Sequence, residues 1–510
     1  MNPAGTSQQA VIDFLGRPAS HGGAPVKRID THAAIVFLAG DRAFKIKRAV
    51  RFPFLDYSTL ERRQAACAAE IEVNRPYAPA IYRRAVAFTR QDDGRLAIGG
   101  EGEPVEWAVE MWRFDESQTL DHLVATQRID STLADALGRA VARAHAAAPI
   151  DKVAGFADEL SEVIAQNDAE LTALPGLFPP SAVAALTEAA HGALIRVRTL
   201  VVAREHAGLV RRCHGDLHLG NIVLLDGAPM LFDAIEFDPK IATGDVFYDL
   251  AFLLMDLIER GLTPAANIVL NRYLNETRRA DDLDALAVLP LFLSLRAAIR
   301  AKVTAARRPQ GPERADLEQS ARDYFALAGK FLAPPPPVLL AVGGLSGTGK
   351  SVLARALAAD IPPAPGAVVL RSDVERKMLF GAHEADRLPE AAYAPEVTSK
   401  VYSALVDKAR RVLAAGHSVI VDAVFADAGE RAAVAQAAPG GVFHGLYLTA
   451  GLPTRLSRVG ERKGDASDAD VAVARKQEQY DLGAMDWTPV DAAGSPQQTL
   501  RRAKTALGLA

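Results

Sequence analysis

Gly344-Leu345-Ser346-Gly347-Thr348-Gly349-Lys350-Ser351 fits the pattern G-x-x-x-x-G-K-[ST] at every fixed position. Val338-Leu339-Leu340-Ala341-Val342 before it reads as a buried strand. Val352-Leu353-Ala354-Arg355-Ala356-Leu357 after it opens a helix. A Gly-rich loop in that setting lets backbone N–H groups wrap a phosphate at a helix N-terminus, where the dipole favours negative charge. Gly344, Ser346, Gly347, Thr348 and Gly349 form the cradle, Lys350 reaches the β/γ-phosphates, and the Ser351 hydroxyl holds Mg²⁺. The chain is therefore expected to bind ATP or another nucleoside triphosphate.

The strands that follow carry further chemistry. Val368-Val369-Leu370 delivers Arg371-Ser372-Asp373 to its C-terminal end, where ligands of such sheets sit. Asp373 is the candidate base for an acceptor hydroxyl, and Arg376 the candidate acceptor-binding residue. Ser418-Val419-Ile420-Val421-Asp422 ends in an acid suited to ordering Mg²⁺. Gly445-Leu446-Tyr447-Leu448 leads to Arg455, Arg458, Arg462 and Lys463; Arg455, Arg458 and Arg462 are expected on one helix face, a positive stripe able to close over the phosphate.

Pro334-Pro335-Pro336-Pro337 fixes φ, removes four donors and favours a stiff extended spacer. It predicts modules at 1–332 and 339–510, with 333–338 as the linker. A chain of 510 residues exceeds one ordinary core. Net charge is −4, and basic residues are not interleaved with aromatics, which argues against nucleic acid as a partner. The two cysteines, Cys67 and Cys213, form no disulfide framework and suit a reducing cytoplasm. The N-terminus shows no secretory signal pattern, and the longest apolar runs are too short or too acidic to span a bilayer.

The first module opens with strand signals, Ala34–Leu38 and Ala43–Lys47 around a Gly40 turn. A helix is predicted over 58–74, with Ser58 and Glu61 as a capping box. Val105–Trp112 alternates like a strand, and 120–205 reads as helical. Then comes Cys213-His214-Gly215-Asp216-Leu217-His218-Leu219-Gly220-Asn221, followed by two short apolar runs around Asp226-Gly227, and by Asp233. Asp216 and Asn221 have the spacing of a phosphotransferase catalytic loop, H-x-D-L-x-x-x-N. In that chemistry the first Asp accepts the proton of the attacking hydroxyl, while the Asn and a later Asp hold Mg²⁺. His214 reads as structural, and Asp245 and Asp249 as a cap and a loop anchor.

This segment resembles the aminoglycoside phosphotransferase/choline kinase branch of the protein-kinase-like fold. The resemblance implies that Lys45 pairs with α- and β-phosphates, that Glu70 is its ion-pair partner, and that Glu110–Trp112 form the adenine-reading hinge. Lys47 lies on the same strand face as Lys45, and Glu72 is a rival to Glu70. The chain departs from the pattern in having no G-x-G-x-x-G loop before Lys45. The second module resembles the small P-loop kinases of the gluconate, adenylylsulfate and polynucleotide 5′-kinase group. The whole chain resembles bacterial fusions of the two. The implied architecture is α/β and multidomain: a bilobal α+β kinase-like domain, then a P-loop domain with a parallel sheet. The implied function is a cytoplasmic, two-site ATP–Mg²⁺ phosphotransferase acting on hydroxyls of small molecules. Alternatives are a regulatory pseudokinase ahead of a single active P-loop kinase, an ATP-switched binding module, or a nucleic-acid 5′-kinase. The oligomeric state is left open.

Overall fold

The computed structural model describes residues 3–52, 55–126, 129–151, 155–307, 313–461 and 465–509. The chain forms two compact units, Met1–Phe156 with Val201–Asp256, and Ala157–Leu200 with Leu257–Ala510. Compactness thus cuts the chain inside the helix Val246–Glu259 and not at the proline spacer. Among the described residues, no helix is long and apolar enough to cross a membrane.

The first unit carries a six-stranded antiparallel sheet. Its strands are β1 (Val26–Asp30), β2 (Ala34–Ala39), β3 (Arg42–Lys47), β4 (Tyr82–Arg90), β5 (Leu96–Ile98) and β6 (Glu103–Trp112). Their spatial order is β1-β2-β3-β6-β4-β5. Side chains alternate faces along β3. Phe44 and Ile46 enter one apolar cluster with Ile35, Phe37 and Phe88. Ala43 packs on the other face with Cys67 and Ile71 of the helix Leu60–Asn74, so Lys45 and Lys47 face that helix. The helix begins one residue later than the capping box predicts. Thr59 is the N-cap, accepting from Arg62 N, while the Ser58 hydroxyl donates to Asp56 at 2.6 Å. The turn residues Asp226 and Gly227 adopt φ of 50° and 79°, joining β7 (Ile222–Leu225) to β8 (Ala228–Leu231) as the Asp-Gly pair predicts.

The second unit carries a five-stranded, wholly parallel sheet. Its strands are β9 (Val338–Gly344), β10 (Val368–Arg371), β11 (Val419–Asp422), β12 (Val442–Thr449) and β13 (Thr488–Asp491), in the order β10-β11-β9-β12-β13. The P-loop leaves the C-terminal end of the central strand β9, and Asp373 and Asp422 sit at the same end of β10 and β11. Strand β10 is an edge, and its backbone is not left open. Asn271, on the helix Thr263–Thr277, accepts from Val369 N at 2.7 Å and donates to Ala367 O at 3.2 Å; Asn267 donates to the same oxygen at 3.0 Å. Covering an edge this way satisfies groups that would otherwise be buried unpaired. Arg272 of the same helix pairs with Glu384 at 2.9 Å, and Asp284 of the short helix Asp281–Asp284 pairs with Arg411 at 2.5 Å.

Asn271→Leu removes a donor and an acceptor from this seal and leaves Val369 N–H buried without its partner. We expect it to destabilise the second unit by about 1–3 kcal/mol. Urea denaturation followed by Trp487, with Trp107 and Trp112 replaced by Phe, measures this; an unchanged midpoint contradicts it.

Candidate active sites

In the first unit, Lys45 Nζ lies 2.8 Å from Glu70 Oε1 and 2.6 Å from Asp233 Oδ1. Lys47 Nζ lies 2.5 Å from the second oxygen of Glu70 and also pairs with Glu236. The two lysines that the sequence leaves as rivals therefore share one carboxylate, and Glu72 is exposed. Burial pulls the Lys45 ammonium down, but Asp233 and Glu70 outweigh it and hold its pKa well above the ordinary lysine value. Burial pushes the Glu70 carboxyl up, and the two lysines overcome that and keep it ionised. Asp233 has φ of 60°, uncommon for a residue with a side chain. Its N–H donates to the Tyr82 hydroxyl at 3.1 Å, and Asn74 brackets the next residue, accepting from Ala234 N at 2.7 Å and donating to Ala234 O at 3.1 Å.

Asp216 and Asn221 meet. The Asn221 amide nitrogen donates to the Asp216 carboxylate and to its backbone oxygen, both at 3.0 Å. That leaves the amide oxygen of Asn221 as the end suited to a cation. The loop is anchored by the helix Val246–Glu259. Asp249 accepts from Gly215 N at 2.8 Å and contacts His145 Nε2 at 3.1 Å; Asp256 accepts from Leu219 N at 2.9 Å. Gly215 has φ of 81°, and a Cβ there would meet Ala242 Cα at 3.0 Å. Burial lowers the pKa of His214, whose Nε2 lies 2.9 Å from Phe232 O. A neutral His214 thus ties the loop to the strand that presents Asp233. Asp245 bonds Phe247 N at 2.8 Å at the start of the same helix.

In the second unit, the P-loop turns through left-handed Gly347 and Gly349, with φ of 86° and 94°, into the helix Lys350–Ala358. The Ser351 hydroxyl donates to Asp422 at 2.5 Å. A hydroxyl and a carboxylate brought together at a phosphate cradle are hard oxygen ligands that suit a divalent cation. Arg371 lies 3.4 Å from Asp422 and 2.8 Å from Asp465. Around the P-loop opens a cleft of about 1310 Å³, lined by Lys350, Asp373, Arg376, Tyr393, Arg458 and Asp468 among others. Burial raises the Asp373 carboxyl, with Arg371 opposing. Arg376 donates to Ala392 O at 2.6 Å and Thr398 Oγ1 at 3.3 Å, and stacks 4.8 Å over Tyr393.

The arginine stripe is not realised as predicted. Arg458 lines the cleft and donates to Gly494 O at 2.7 Å. Arg455 is 1% exposed, pairs with Glu478 and donates to Ala474 O at 3.1 Å. Residues three apart on a helix differ by about 60° in direction, and here the Arg455 side of the helix Leu452–Glu461 packs inward. A Cβ on Gly347 would meet the Arg455 backbone oxygen at 2.5 Å. Arg462 and Lys463 lie outside the described residues. Asp465 and Asp468 line the cleft without having been read from sequence. Asp468 receives Lys377 at 2.8 Å, Leu388 N at 3.0 Å and the Tyr393 hydroxyl at 2.5 Å. No motif surrounds them.

Residues 36–288 match the phosphotransferase enzyme family, and residues 339–481 match an AAA domain. The uncharacterized protein Rv2004c of Mycobacterium tuberculosis (strain ATCC 25618 / H37Rv) and the uncharacterized protein Mb2027c of Mycobacterium bovis are each 30% identical to the chain over 488 residues. The match spans 93% of this chain and 94% of theirs. The chain belongs to their family. It joins a phosphotransferase-family domain to an AAA domain, and is an enzyme of the kinase/phosphotransferase class. Among solved structures, a gluconokinase from Sinorhizobium meliloti 1021 is 23% identical, covering 34% of this chain and 92% of its own, with a TM-score of 0.25. Amicoumacin kinase hAmiN, in complex with AMP-PNP, Ca²⁺ and Ami, is 14% identical, covering 62% and 93%, with a TM-score of 0.36.

Gly347→Ala forces a side chain onto backbone at 2.5 Å and a left-handed φ. We expect this member of the family to lose P-loop nucleotide binding on that substitution and to keep its first-unit site. Photo-crosslinking with an azido-ATP, followed by peptide mapping, separates the two; labelling of the P-loop peptide at the parent level contradicts it.

Proposed function

We propose that the chain is an ATP-dependent phosphotransferase with two nucleotide sites, in modules 1–332 and 339–510, each passing a γ-phosphate to a hydroxyl of a small molecule. The observation that carries this reading is duplication. Each compact unit holds, within itself, candidates for a phosphate lysine, for cation ligands and for an acceptor carboxylate. In the first these are Lys45 with Glu70, then Asn221 with Asp233, then Asp216. In the second they are Lys350, then Ser351 with Asp422, then Asp373.

At each site the residues share the work in the same way. Lys45 and Lys350 hold phosphate oxygens. Asp216 and Asp373 take the acceptor proton as its oxygen approaches phosphorus. Mg²⁺, when bound, neutralises charge that develops on the phosphates. The P-loop cleft of about 1310 Å³ has room for a nucleotide beside a small acceptor. Arg376 and Arg458 border that space and are proposed to orient acceptor and phosphate, respectively. Arg455 supports the P-loop from behind. Cys67 and Cys213 are both buried and not disulfide-bonded, which agrees with a cytoplasmic setting. One observation favours a different reading of the first module, as a regulatory nucleotide-binding pseudokinase: no Gly-rich loop precedes Lys45.

An ATP-consumption screen over sugars, aminoglycosides, nucleosides and amino alcohols tests the proposal. We expect Asp216→Asn to abolish turnover of one set of acceptors and Asp373→Asn that of another, each by about 10²-fold or more, with ATP affinity retained. If Asp216→Asn alters no acceptor's turnover, the pseudokinase reading stands instead.

A further inference from the structure

The first-unit site contains a second buried lysine that the phosphotransfer chemistry does not itself call for. Lys47 is 3% exposed, Glu70 0% and Glu236 6%, against 15% for Lys45 and 43% for Asp233. The charge cluster is therefore graded. One end, Lys45 with Asp233, opens to solvent. The other end, Lys47 with Glu236, is sealed. The Tyr57 hydroxyl donates to Glu236 at 3.0 Å, and Lys47 Nζ lies 5.4 Å from the Tyr57 ring centroid. Gln8 donates to the Lys47 backbone oxygen at 2.9 Å.

We propose that Lys47 is a positioning residue: a fixed positive charge, held in place by Glu236, that shares the compensation of Glu70 so that Lys45 is not its sole partner. The inference rests on the reading of this site as a nucleotide site. A carboxylate as deeply buried as Glu70 must be compensated at all times. If Lys45 were its only partner, moving Lys45 from Asp233 toward a phosphate would strip compensation from Glu70. With Lys47 fixed 2.5 Å from one Glu70 oxygen, Glu70 keeps a cation beside it when Lys45 leans toward a phosphate, although Lys47 divides its charge with Glu236. Lys47 in turn carries Glu236, three residues beyond Asp233, and so joins strand β3, the helix Leu60–Asn74 and the segment 233–236 at one point. The helix is thereby pinned with Glu70 inward, whether or not nucleotide is present.

The test uses the full chain carrying Lys350→Ala, so that only the first-unit site binds. ATP and adenosine are each titrated with Mg²⁺ present, and folding is checked by thermal melting. In that background we expect Lys47→Met to weaken ATP binding about tenfold or more while adenosine binding stays at the parent value. Lys47→Arg should restore most of the loss. Glu236→Gln leaves Lys47 wholly to Glu70 and should not weaken ATP binding, again with adenosine unchanged. A merely structural role would weaken both ligands together, and that result overturns the proposal. Parent-like ATP binding in folded Lys47→Met overturns it as well. If Lys47→Met fails to fold, Lys47→Gln, which drops the charge and keeps a polar head, decides by the same comparison. If the Lys350→Ala parent itself binds no ATP, the first-unit nucleotide site fails and the proposal with it, a result distinct from a binding parent with an indifferent variant.

Discussion

The carboxylate of Glu70 has no contact with water, and the first unit is arranged around keeping it charged. Isolated burial would neutralise it. Two lysines prevent that, and their placement follows from the alternation of β3, which sends Phe44 and Ile46 into the apolar core and Lys45 and Lys47 toward the helix Leu60–Asn74. From the same cluster, Asp233 and Glu236 draw the strand-end segment 233–236 against the sheet. Asn74, one turn beyond Glu70, fixes that segment's backbone. Asp233, the proposed cation ligand, is thus located by the same helix that supplies Glu70.

The second unit depends on a different constraint, the open edge of a parallel sheet. Strand β10 leads into the helix Ser372–Leu379 that carries Asp373, and its outer backbone is satisfied by asparagine side chains of the helix Thr263–Thr277. This is why compactness gathers residues 257–332 with the P-loop sheet, although the phosphotransferase match extends to residue 288 and the AAA match starts only at 339. The proline spacer marks a change of family along the chain. It does not mark where the packing divides.

What could be read from sequence was what is local. The P-loop, the Asp216–Asn221 spacing and the Asp226-Gly227 turn are encoded in a few consecutive residues, each with its own physical signature. The shared face of Lys45 and Lys47 followed from a period of two. Non-local partners were not legible. Nothing near Lys47 announces Glu236, and nothing near Asn271 announces a strand almost a hundred residues away. The strands β4 and β13 lack clean alternation and went unread. Arg455 and Arg458 share a spacing that fits one face, yet a 60° offset is enough to bury one and leave the other in the cleft. Asp465 and Asp468 act through folded proximity alone.

The central claim is that one chain holds two independent nucleotide sites. Calorimetric titration of the intact protein with a non-hydrolysable ATP analogue and Mg²⁺ tests it most directly. The account predicts two equivalents bound by the parent, one by Lys350→Ala, one by Lys45→Met, and none by the double variant. A parent that binds a single equivalent, lost entirely on Lys350→Ala, would contradict it.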